Sequence, residues 1–68
     1  MSTLKLWIAR DKDGALHFFT SKPEEENFCQ YLPATRGEMY YWFDDELFPE
    51  VTFENSPQEV ELKLIENE

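Results

Sequence analysis

Two runs of alternating side chains flank an Asp-Gly turn near the start of the chain, and that pattern constrains the fold more than any other. From Thr3 to Arg10, Leu4, Leu6 and Ile8 alternate with Lys5, Trp7 and Ala9, the period of two that a half-buried strand requires. Asp11-Lys12-Asp13-Gly14 follows, and Asp-Gly supplies the left-handed backbone of tight hairpins. Ala15 to Thr20 resumes the alternation, with Leu16 and Phe18 on one face and His17 and Phe19 on the other. Strands and turn chemistry agree on a β-hairpin.

Three later segments also read as strands. Glu38 to Asp44 places Met39, Tyr41 and Phe43 on one face and Tyr40 and Trp42 on the other. Asp44 then caps a single turn through Asp45, Glu46 and Leu47, which Phe48-Pro49 closes. Glu50 to Glu54 reads as a short fourth strand burying Val51 and Phe53 and exposing Thr52 and Glu54. After the turn residues Asn55-Ser56-Pro57-Gln58, a fifth strand from Glu59 to Glu66 sets Val60, Leu62 and Leu64 against Glu59, Glu61 and Lys63. One of its faces is dry and the other wet.

The segment from Ser21 to Tyr31 admits two readings. Ser21 with Glu24 forms a capping-box pattern, Pro23 suits a first helical turn, and Phe28, Tyr31 and Leu32 fall at helical spacing before Pro33. A short helix around residues 22–32 is one reading, and a long loop with an acidic bulge is the other. The expected fold is mainly β: one domain over residues 1–68 with a small antiparallel sheet of about five strands, a hairpin plus a meander. A helix would cover one face and make it α+β; without it the sheet would curl into a small barrel.

A chain of 68 residues buries only about 60% of the surface its unfolded form exposes, so other supports are sought. Cys29 is the only cysteine and His17 the only histidine, which rules out an intrachain disulfide and a Cys/His zinc cluster. Aromatic residues make up 16% of the chain, so a few large rings are expected to hold the core. No apolar run reaches the length of a membrane span or signal peptide. A lone cysteine suits a reducing compartment, and the expectation is a cytoplasmic protein without membrane contact.

The net charge of −9 is unevenly spread. Residues 1–22 carry Lys5, Arg10, Lys12 and Lys22 against Asp11 and Asp13, whereas residues 23–68 carry Arg36 and Lys63 against 13 acids. Such a field repels phosphate backbones, so direct nucleic-acid binding is not expected.

Patterns that suggest chemistry resolve into plainer ones. Setting Gly14 at position 6 of an EF-hand loop puts Ala9 at position 1 and Thr20 at position 12, where neither supplies the required carboxylate. Cys29 and His17 have no spacing that brings them together and no third orienting group. Cys29, beside Phe28, reads as a small buried hydrophobe, and His17 as a solvated or packed strand residue. The carboxylate pairs Asp44-Asp45-Glu46 and Glu59/Glu61 read as solvated faces, because acid–base work needs an apolar pocket that so thin a core does not provide. Gly14 and Gly37 stand alone, so there is no phosphate loop. No catalytic residue, metal ligand or cofactor site is assigned.

The rings remain. Tyr40 and Trp42 share a face, and Trp7 and Phe19 fall on the same side of neighbouring strands. They form either a second core under segment 21–32 or a partly exposed patch with an acidic rim, the usual build of a protein interface.

Three stretches, Ile8-Ala9-Arg10-Asp11-Lys12-Asp13-Gly14, Leu47-Phe48-Pro49-Glu50-Val51 and Glu59-Val60-Glu61-Leu62, resemble the layout of a group of short bacterial and prophage-associated proteins to which no activity is assigned. The resemblance covers most of the chain outside Ser21 to Arg36. It implies a compact stand-alone domain and nothing chemical.

The expected function is that of a non-enzymatic interaction domain. It would bind a protein partner, or a second copy of itself as a homodimer, through the aromatic patch (Trp7, Phe19, Tyr40, Trp42) or a strand edge. The alternative is an acidic inhibitor that mimics nucleic acid toward a DNA- or RNA-binding protein. It would use Asp44, Asp45, Glu46, Glu50, Glu54, Glu59, Glu61, Glu66 and Glu68 as phosphate substitutes.

Overall fold

A computed structural model describes residues 3–65. They form six strands: β1 (Thr3–Arg10), β2 (Leu16–Phe19), β3 (Pro23–Glu26), β4 (Gln30–Pro33), β5 (Tyr40–Trp42) and β6 (Gln58–Lys63). A four-stranded antiparallel sheet runs in the order β5-β2-β1-β6, and β3 and β4 make a separate antiparallel pair. The fold is mainly β, as the alternation implies. Among the described residues no helix is long and apolar enough to cross a membrane.

The first hairpin forms as its turn chemistry requires. Gly14 has φ +101°, its N–H donates to the Asp11 carbonyl at 2.9 Å, and Asp11 N–H donates to Ala15 O at 2.8 Å. The side chain of Asp13 accepts from Ala15 N–H. Pairing Ile8 with Phe18 and Ala9 with His17 sets the register. It puts Leu4, Leu6 and Ile8 on the Leu16 face, and Trp7 and Ala9 on the His17 face.

Each sheet face is covered by a different segment. On the first, Ile8, Leu16 and Val51 are buried, with Phe18, Phe43 and Val60 packed around them. On the second, Ala9, Phe19 and Tyr31 are buried beside Trp7 and Phe53.

Residues 22–32 are a β-hairpin, which corrects the helical reading. Asn27 (φ 53°) and Phe28 (φ 58°) are both left-handed, and Cys29 N–H donates to Glu26 O at 3.1 Å, the arrangement of a type I′ turn. The helical stripe would have put Phe28 and Tyr31 on one buried face. Instead Phe28 sits on the turn, 80% exposed, and Tyr31 is buried. Contacts remote in sequence hold the extended form. Tyr31 N–H donates to Asp11 Oδ1 at 2.9 Å, its hydroxyl donates to the Phe53 and Ser56 carbonyls, and Lys12 N–H donates to Cys29 O.

A bulky residue in the left-handed region is strained, and here its side chain is in solvent. Phe28→Gly creates the Asn-Gly sequence that type I′ turns favour, and is expected to stabilise the domain by about 1 kcal/mol. Urea unfolding of the two proteins measures it; an unchanged or lower midpoint would contradict the strain.

The fourth strand expected at Glu50–Glu54 is also absent. Val51 is buried and Thr52 and Glu54 are exposed as expected, with Phe53 half-buried, but the backbone is a chain of turns. Leu47 N–H donates to Asp44 O, Val51 N–H to Phe48 O and Ser56 N–H to Phe53 O. Asp44 caps the first of these through Glu46 N–H. The carbonyls that a 50–54 strand would offer to a neighbour are taken by nearby side chains: Glu50 O accepts from Asn55 Nδ2, Thr52 O from the Ser56 hydroxyl, and Val51 O from Arg10. The Arg10 Nε donates to Val51 O at 2.6 Å, Nη1 to Gly14 O and Asp45 O, and Nη2 to Leu47 O and Phe48 O. The third and fifth strands expected from the sequence are β5 and β6, both shorter than the alternation suggests. The expected end of the last strand, Glu66, lies outside the described residues.

Candidate functional site

Strand registers bring the four candidate rings to one face. Trp7 pairs with Phe19 and Phe19 with Tyr40, while Ala9 pairs with His17 and His17 with Trp42. Two parallel rows result, Trp7–Phe19–Tyr40 and Ala9–His17–Trp42, running from β1 across β2 to β5.

The four rings differ in exposure. Phe19 is buried, Trp7 half-buried, Tyr40 39% exposed and Trp42 80% exposed. The Tyr40 ring stacks on Phe19 with centroids 5.4 Å apart and 13° between planes. His17 meets Tyr40 and Trp42 edge-on, at 5.3 and 5.8 Å. Trp7 lies under Lys22, whose Nζ is 5.6 Å from the ring centroid, a cation–π distance. The inner end of this face is core beneath the β3–β4 hairpin, and its outer end is surface. Among the described residues β5 is an edge strand, and all three of its residues are exposed.

A polar group backs the patch. His17 is buried, with Nδ1 3.7 Å from Asp11 Oδ2, beyond hydrogen-bond length, and without a hydrogen-bond partner. Burial pushes the Asp11 carboxyl above the ordinary aspartate range, against the opposing effects of the Tyr31 N–H bond and the nearby His17, while Asp13 adds to the rise. The folded chain thus holds this proton to higher pH than the unfolded chain does, and the associated stability is lost as pH rises through the folded pKa.

Asp11→Asn retains an oxygen for Tyr31 N–H and cannot ionise. It is expected to match or exceed the parent's stability at neutral pH, and to lose the decline that begins near the ordinary aspartate pKa. Denaturant midpoints measured from about pH 3 to pH 7 read this, and a variant clearly weaker at neutral pH would count against it.

Two residues before β5, Glu38 accepts from the Thr20 hydroxyl at 2.6 Å and the Ser21 hydroxyl at 2.8 Å. These bonds, Thr20 first, lower its pKa. The Ser21–Glu24 capping box is replaced by a Ser21–Glu38 bond that ties the entry of one hairpin to the edge strand.

Cys29 is exposed, contrary to its expected burial. It lines a shallow groove with Asp11, Lys12, Asp13 and Gln30, while His17 lies buried beside Asp11. The buried Tyr31 hydroxyl is held above the ordinary tyrosine pKa by burial and by the charges of Glu25 and Glu54. Among the described residues no three His, Cys, Asp or Glu side chains converge as a metal-holding group.

Sequence reasoning missed Arg10 and Tyr31, whose partners are 20 or more positions away, apart from Gly14. The one available signal was a cation on the apolar face of β1. Comparison with known proteins finds no matching family model, no similar curated protein and no similar solved structure.

Proposed function

We propose that this domain is a non-enzymatic protein-binding module that engages its partner through the aromatic face at the β5 edge. The observation that carries the reading is Trp42, 80% exposed on an edge strand yet oriented by edge-on contact with the buried His17. A tryptophan has only two χ angles to fix on binding, and Trp and Tyr are the residues that most often dominate interfaces. Tyr40 adds a second ring backed by Phe19, and the open backbone of β5 offers a strand edge beside them. Glu38, Asp44 and Asp45 flank the strand, so an apolar partner surface with a basic rim is favoured.

Mimicry of nucleic acid gains less from the geometry. Asp44 Oδ1 accepts from Glu46 N–H and Asp45 Oδ1 from Leu16 N–H, so two acids of the proposed row serve the fold. Glu66 and Glu68 lie outside the described residues.

The test compares the parent with Trp42→Ala and with Glu50→Gln/Glu54→Gln as baits for proteins in a cell extract. Loss of the same partner from the Trp42 variant alone is expected. Retention by Trp42→Ala together with loss from the double glutamine variant would transfer the function to the acids.

A further inference from the structure

The opposite edge of the sheet carries a second, independent surface. Beyond Leu6 and Val60 the β1–β6 ladder projects past both core clusters: Leu4 pairs with Leu62 and Thr3 with Lys63. Its first face is uncovered, with Leu4 54%, Leu62 58% and Leu64 78% exposed. Thr3, Leu4, Leu62, Lys63 and Leu64 line a shallow groove there. Among the described residues β6 is the other edge of the sheet. The dry face expected for the last strand is thus dry only as far as Val60, which is half-buried.

We infer that β6 pairs antiparallel with β6 of a second copy of this chain, about a two-fold axis through Leu62, to give a continuous eight-stranded sheet. Such an axis stands perpendicular to the sheet and keeps each face continuous, so only registers centred on a residue are allowed. Centring on Glu61 or Lys63 places like charges directly opposite each other, and centring on Val60 sets Glu61 against Glu59 of the second copy. Like charges directly opposite are destabilising. Centring on Leu62 sets Glu61 against Lys63 of the second copy, twice by symmetry, and Val60 against Leu64.

The same register continues across each subunit. Lys5 stands opposite Glu61 within the chain, so Glu61 lies between Lys5 and the Lys63 of the second copy. On the other face Leu4 and Leu62 of both copies form one apolar row, burying side chains that one copy alone leaves in water. The pairing also closes an exposed edge that would otherwise template disordered association. It leaves the two β5 edges at opposite ends, so the dimer displays the aromatic face twice.

This pairing stands apart from the aromatic reading, and Trp42→Ala is expected to leave it unchanged. The experiment is sedimentation velocity across a concentration series on the full chain and its variants, each checked for fold by circular dichroism. The parent is expected to shift reversibly from monomer to dimer. Leu62→Lys, at an exposed position, sets two cations on the axis and is expected to raise the dissociation constant about tenfold or more. Lys63→Glu and Glu61→Lys are each expected to be monomeric, and an equimolar mixture of the two to form a one-to-one dimer. A parent that stays monomeric to about 1 mM would overturn the inference and leave the edge to a strand of another protein. Single charge variants that self-associate like the parent, or a folded mixture that does not associate, would overturn the register.

Discussion

Arg10→Ala is expected to bring the domain to the margin of unfolding at room temperature. The guanidinium donates to five carbonyls, those of Gly14, Asp45, Leu47, Phe48 and Val51, and has no competing acid among them. These bonds gather the turns of residues 44–51 onto the first sheet face, which positions Val51 over Ile8 and Leu16. Hydrogen bonds to a charged group contribute roughly 1.5–3 kcal/mol each, but they do not add.

Three of the five bonds lie at the surface, where water replaces the donor. The part-buried bonds to Val51 and Gly14 decide the effect, and about 3 kcal/mol or more is expected to be lost. A domain of this size has roughly 3–10 kcal/mol in total. Arg10→Lys is expected to recover only part of the difference, because an ammonium cannot reach carbonyls on three sides at once. Urea or thermal unfolding of the three proteins reads the order Arg, Lys, Ala. A lysine variant equal to the parent would show that charge alone, not the fork of donors, organises the loop.

Phe19→Ala is expected to cost about 3–5 kcal/mol, the usual range for truncating a buried aromatic. Phe19 is 1% exposed and belongs to the buried cluster with Ala9 and Tyr31. It also supports the ring of Tyr40, so its loss removes the floor of the aromatic face as well as core volume. Trp42→Ala, by contrast, is expected to change stability by less than about 1 kcal/mol, since exposed positions away from special features lie near ±0.5. Equilibrium unfolding of both variants separates core from surface. Similar losses would mean that the exposed tryptophan is holding the fold rather than waiting for a partner.

The Phe19 and Trp42 variants separate the buried end from the exposed end of the face that the four sequence-selected rings share. Their common face follows from the registers of β1 with β2 and of β2 with β5; only the parity of each ring within its own strand was legible, because parity is a local property. Their exposure was not. It depends on which segment lies over the face, and the covering hairpin is held by Tyr31, whose partners at Asp11, Phe53 and Ser56 are remote in sequence.

Residues 22–32 show how local signals mislead. Ser21, Pro23 and three glutamates satisfy the rules for starting a helix, and a helix would have supplied its own hydrogen bonds. The hairpin places the Tyr31 ring in the core with its hydroxyl satisfied and leaves Phe28 strained at the turn. Burial of one aromatic, with its polar atoms paired to distant groups, outweighs the small propensities of a short segment. The 50–54 segment carries the same lesson. Its alternation correctly marked Val51 for burial, yet a strand needs a neighbour to take its carbonyls, and here Asn55, Ser56 and Arg10 take those of Glu50, Thr52 and Val51.

By itself the sequence determined what acts over a few residues: the existence of the first hairpin, the alternating faces of β1, β2, β5 and β6, the Asp44 turn, and the division of charge along the chain. Tertiary structure decided what depends on contacts between remote segments: the second hairpin, the Arg10-centred loop, the burial of His17 beside Asp11, and which rings and leucines stay in water. The physical reason is range. Parity and turn chemistry are written into neighbouring residues, whereas coverage of a sheet face is settled only when the whole chain competes for it.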